Sequence, residues 1–149
     1  MLAMLTGASP LYMATETPSH AETIPRLLPH RFPIDVLSVV DGDTIKGRVY
    51  IWIGQVQFTS IRLRGIDTPE LRGKCPYEKD MAQKARLYLQ ELIDEHAHLF
   101  IEDIEEDIYP NRIIATLTNK TRDNIALELI HAKLARPHGK KDKRRPWCP

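Results

Sequence analysis

VVDGDT (Val39–Thr44) and RLRGIDTPE (Arg62–Glu70) are the two stretches around which the rest of this chain can be laid out. Each reads as a strand ending in a turn, and together they hold carboxylates and arginines in short compass. Upstream, Ile34–Val40 is rich in β-branched residues and stops at Asp41-Gly42, a strong turn dipeptide. Downstream, Ile45–Ile53 sets Val49, Ile51 and Ile53 in alternation with Arg48, Tyr50 and Trp52, the period of a strand. Gly54-Gln55 reads as the next turn, and Val56–Ile66 as a third strand with Phe58, Ile61 and Leu63 as its apolar contacts. Three strands joined by tight turns make a β-meander.

The period changes at Pro76–His96. Met81, Ala85, Tyr88, Leu89, Leu92 and Ile93 fall at three- and four-residue steps and predict one apolar helix face. Leu99–Ile104 and Ile113–Thr118 read as fourth and fifth strands, with Asn119-Lys120 as a turn. Asp123 or Asn124 can cap a second helix, burying Ile125, Ala126, Leu129, Ile130 and Leu134 and stopping at Pro137. The order βββ-α-ββ-α predicts an α+β domain, a small barrel with helices packed outside.

With 149 residues, 42% of them hydrophobic, the chain can build one domain with a real core. A net charge of +1 hides two opposed runs, acidic at Glu102–Asp107 and basic at Lys140–Arg145. The basic run either attracts polyanions or is a solvated end. No apolar run approaches the ~20 residues of a membrane span. Residues 1–33 read as a leader. Ser19 and Ala21 have the small-residue spacing of a secretory cleavage site, without the usual basic start, and Pro25, Pro29 and Pro33 mark a linker. The domain is therefore expected over 34–137, with a basic tail over 138–149, in a periplasmic or secreted monomer; a cytoplasmic protein is the alternative. Cys75 and Cys148 permit one disulfide in an exported chain, or two free thiols in the cytosol. Trp147-Cys148 has the look of an anchor.

Should folding bring the two turns together, three or four acidic groups meet two or more guanidiniums. Clustered carboxylates raise one another's pKa unless a cation sits among them. Arginines beside them suit phosphate, whose oxygens match the planar fork. That combination points to a hard-metal phosphodiesterase site. Asp41 itself reads as a turn residue. His96, His98, His131 and His138 show no triad or metal spacing.

Val39–Thr44, Arg62–Glu70 and Asp107–Arg112, with the helix sequence Asn124–Ile130, together resemble the staphylococcal nuclease (thermonuclease) family over about Ile34–Pro137. The resemblance implies an OB-fold, a five-stranded Greek-key barrel whose open face takes nucleic acid. It further implies that Asp43 and Asp67 hold Ca²⁺ with the Thr68 carbonyl as third ligand, that Glu70 is the general base or orients the attacking water, and that Arg62 and Arg112 bind the scissile phosphate. Substrates would be DNA and RNA, cleaved to leave 3′-phosphates. Tyr109 and Arg64 are candidates for substrate contact; Tyr109 either stacks on a base or covers the core, and surface charge is the default for Arg64. Non-catalytic binding modules also occur in such families, usually after losing acidic residues, and this sequence keeps them all. It departs from the family in its third block, where Asp107-Ile108-Tyr109-Pro110-Asn111-Arg112 has one extra residue and no glycine. Asn111 can take the positive φ instead. The family's last helix is absent as well, leaving Arg145–Cys148 to take over its packing.

Overall fold

The computed structural model describes residues 31–149; the expected leader lies outside the described residues as far as residue 30, the Ser19–Ala21 cleavage spacing included. β1 (Arg31–Asp41), β2 (Thr44–Trp52) and β3 (Gln55–Leu63) form the antiparallel meander. After the short β4 (Ile66–Asp67) and the helix α1 (Pro76–Glu95) come β5 (Leu99–Glu106) and β6 (Arg112–Asn119). β6 runs parallel to β3 and β5 pairs with β1, which closes the barrel in the order β1-β2-β3-β6-β5. The fold is the α+β OB-type barrel expected from the sequence. α2 (Ile125–His131) follows, and β7 (Arg136–Pro137) pairs with β4.

Inside the barrel lie Ile45, Ile61, Leu63, Ile101 and Leu117, and the helices cover its end with Ala85, Leu89 and Leu129. β1 carries two bulges, between Val36 and Ser38 and between Val39 and Asp41. They throw Leu37 and Val40 outward, so the β-branched run buries fewer residues than its composition implies. The β2–β3 hairpin also differs from expectation, since Ile53 is 90% and Phe58 61% exposed. β1 pairs with β2 only as far as Val49, and β6 meets β3 only at Ser60–Leu63, so the hairpin tip extends past both neighbours.

The boundaries shift in three places. β1 starts at Arg31, and Pro33 stands inside it opposite Phe100 instead of in a linker. Gly65, at φ 82°, ends β3 before β4. α2 ends not at Pro137 but at His131, and past its cap residue Ala132 a φ of 60° at Lys133 turns the chain so that the Leu134 amide donates to the Leu129 carbonyl. Asn124 caps that helix by accepting from the Ala126 amide at 2.9 Å.

Gly42 fixes how closely the β1–β2 turn approaches α1. A Cβ added there would stand 2.7 Å from the Ala85 Cβ and 3.1 Å from the Thr68 Cβ. Neither neighbour has a flexible end to withdraw, so Gly42→Ala is expected to cost about 1–3 kcal/mol. A urea midpoint unchanged by the substitution would mean that the turn does not rest on α1.

Candidate active site

The Gly42 contact is also what joins the two sequence segments. The turn carrying Asp41 and Asp43 sits on Thr68, the residue after Asp67. The Leu63 amide donates to the Asp43 carbonyl at 2.8 Å, and Thr44 lies opposite Arg62 in the β2–β3 ladder. Asp43 and Asp67 are each only 5% exposed. Buried carboxylates need partners, and both have them. Asp43 takes the Arg62 Nη1 at 2.8 Å and the Thr44 hydroxyl at 2.9 Å. Asp67 takes the Trp147 indole N–H at 3.0 Å and the Arg144 Nε at 3.1 Å.

Arg144 reaches further. Its Nη2 donates to the Thr68 carbonyl at 3.0 Å, and its Nη1 pairs with Glu70. Oxygens of Asp67, Thr68 and Glu70 thus converge on a single positive group, and such a hard-oxygen set fits a Ca²⁺ ion. Burial opposes the charge of Arg144, but Glu70 and Asp67 more than compensate, and its pKa lies above the ordinary guanidinium value. Asp41 belongs to the same electrostatic unit. Burial pushes its carboxyl up, and the charges of Asp43 and Glu70 push further, against the hydrogen bond it accepts from the Gly42 amide. Asp41 makes the turn expected of it, its carboxylate accepting from the Gly42 amide, but its charge also faces the site.

Glu70 is exposed on a loop that a buried acid organises. Glu78, at the start of α1, accepts from the Lys74 amide at 3.0 Å and from the Glu70 amide at 3.4 Å. The sequence signal for Glu78 was its place two residues after Pro76 at the helix start, where a carboxylate favours free amides.

The two family arginines share a sheet face. Arg62 stands opposite Ile114, and Arg112 lies two residues before Ile114 on β6, so both side chains leave the same side, about 7 Å apart along the strand direction. Arg112 donates through Nε to Asp107 at 2.7 Å and lies 4.4 Å over the Tyr109 ring. Burial would raise the Asp107 carboxyl, but the Arg112 hydrogen bond and the Tyr109 and Ile108 amides win and hold it low. Asn111 has φ 59°, so the glycine-free turn is made by an asparagine in the left-handed region. Beside it opens an apolar cavity of about 510 Å³ lined by Phe32, Val49, Ile101, Tyr109 and Arg112. Arg64, by contrast, turns to β5, bonding Glu105 at 3.2 Å and the Asp103 carbonyl. It sits apart from the acidic cluster.

Cys75 and Cys148 are joined, with Cα atoms 6.0 Å apart. Glu78 lies close to both sulfurs, but bonded sulfurs are not thiolate ligands, so this trio is not a metal site.

Fold and site define a class: an OB-type barrel with a carboxylate–guanidinium site outside its third strand. The staphylococcal nuclease homologue family matches residues 60–146, and the chain belongs to it. Most members are nucleases and the family is generally calcium-dependent, though non-catalytic members exist. No curated protein matches the chain. The match begins after the Asp41–Thr44 turn and reaches past Arg144. The first acidic turn thus lies outside the matched span and touches it through Thr68, and the tail falls inside that span.

Proposed function

We propose that the protein is a calcium-dependent, sugar-nonspecific endonuclease that hydrolyses phosphodiester bonds of DNA and RNA and leaves 3′-phosphates. The observation that supports this reading is the contact of the Gly42 turn with Thr68, which brings the Asp43–Arg62 pair up to the stretch whose Asp67, Thr68 and Glu70 oxygens Arg144 holds. Asp43, Asp67 and the Thr68 carbonyl would hold Ca²⁺, which supplies charge neutralisation at a phosphoryl oxygen. Arg62 holds the phosphate and stabilises the charge of five-coordinate phosphorus, since preorganised donors act most strongly where charge develops. Arg112 leaves Asp107 to bind the same group from β6. Glu70 takes the proton of the attacking water or orients it. The apolar cavity beside Tyr109 gives a base somewhere to stack, and no base-edge reader is required for cleavage without sequence preference.

Incubation with supercoiled plasmid and with RNA, in calcium and then in chelator, tests the proposal. Nicking and RNA cleavage in calcium that stop in chelator are expected. Binding of both polymers without cleavage would establish a non-catalytic module instead. Export to the periplasm or medium is part of the proposal, supported by the cross-link, because disulfides persist in oxidising compartments. Among the described residues no helix is long and apolar enough to cross a membrane.

A further inference from the structure

Arg144 has no role in the reaction just described, yet it holds three of that reaction's oxygen groups. Its guanidinium engages Asp67 at 3.1 Å, the Thr68 carbonyl at 3.0 Å, and Glu70. These are two of the calcium donors and the water-activating acid. Nearby tail groups lock the arrangement. The Trp147 indole donates to the other Asp67 oxygen, and Trp147 itself is 6% exposed. Arg136, placed opposite Asp67 by the β4–β7 pairing, stacks at 3.6 Å on the Trp147 ring and donates to the Pro146 carbonyl at 3.0 Å. One residue later the chain is bonded to Cys75, just ahead of α1.

We propose that Arg144 is a built-in competitor for the divalent cation: the docked tail and bound calcium exclude one another, and the Cys75–Cys148 cross-link sets how strongly the tail competes. The inference rests on the calcium reading above. Its physical basis is that a guanidinium and a metal ion cannot share the same lone pairs. A docked arginine also occupies one carboxylate oxygen of Glu70. Tethering matters because Arg144 stands four residues from the anchored Cys148, which keeps its effective concentration at the site high. The side chain is still 40% exposed, so it can swing into solvent when displaced.

Competition lowers the apparent affinity of the cation by the fraction of molecules whose site is open. A tail docked nine-tenths of the time therefore predicts a gain of about ten-fold when Arg144 is removed. Calcium titration calorimetry on the wild type, Arg144→Ala, Arg144→Lys and Asp67→Asn tests this without any measurement of cleavage. Arg144→Ala should bind calcium about ten-fold or more tightly than the wild type, and Arg144→Lys should fall between them. Reducing the disulfide in the wild type should tighten binding as well, and should change nothing in Arg144→Ala. Equal or weaker affinity in Arg144→Ala would overturn the competition while leaving the calcium site intact, provided Asp67→Asn loses binding. Absence of calcium binding in the wild type and Arg144→Ala alike would overturn both this inference and the calcium reading beneath it.

Discussion

Glu70→Gln is expected to lower turnover on DNA by about 10²–10⁴-fold at saturating calcium, the usual range for loss of a positioned general base. The change is isosteric, Glu70 is exposed, and its loop is held through its backbone by Glu78. Folding should be unaffected, so the loss would read as chemistry. Arg62→Ala should fall by a comparable about 10²–10³-fold, the effect of removing one preorganised donor. Arg62 also neutralises Asp43, and removing it leaves a buried carboxylate unpaired at a cost of about 1–3 kcal/mol. Arg62→Lys separates the two effects, since it keeps the charge on Asp43 but loses the fork that grips two phosphate oxygens. Single-turnover hydrolysis of a labelled oligonucleotide, with thermal unfolding run on the same samples, measures both. A Glu70→Gln rate equal to the wild type would remove Glu70 from water activation.

What could be read in the sequence was whatever depends on neighbours along the chain. The helix period of Ala85, Leu89 and Leu92, the Asp-Gly turn, the Asn124 cap and the tolerance of Asn111 for positive φ are all local, and the structure has each of them. The β2–β3 hairpin reads differently because alternation says which side chains share a face, but not whether anything covers it. Ile51 and Phe58 alternate as core residues do, yet β1 and β6 stop short of them. Pro137 reads as a helix stop, but the chain has already turned at Lys133, where the αL cap carries no glycine to announce it. The tail was the hardest to read. A run of Lys and Arg looks the same whether it is solvated or docked, and Arg144 finds its partners 74 to 77 residues away, at Glu70, Thr68 and Asp67. Only closure of β6 onto β3 and the β4–β7 pairing bring those distances to contact. Trp147-Cys148 reads as an anchor; that it anchors onto a calcium donor is a property of the three-dimensional arrangement alone.

Removing the cross-link should have the largest effect on stability. The Cys75–Cys148 bond closes a loop with a sequence separation of 73 residues, spanning α1, β5, β6 and α2. Chain-entropy arguments assign about 4 kcal/mol to a loop of that size, within the roughly 2–5 kcal/mol lost when such bonds are removed from small secreted domains. A second contribution follows from where the bond lies. The tail seals the site through Trp147, and its release would leave Asp67 without the indole donor and expose the ring. A Cys75→Ser, Cys148→Ser protein should therefore unfold at a markedly lower denaturant midpoint, by about 3–5 kcal/mol. Calcium should recover part of that loss, because a ligand that binds only the folded state stabilises it by mass action, and the freed site would bind it more readily. Urea unfolding with and without calcium, alongside thiol counting on the native protein, decides the matter. Equal midpoints for the wild type and the double variant would mean that the thiols are free in the native protein, and the tail would then need another reason to stay on Asp67.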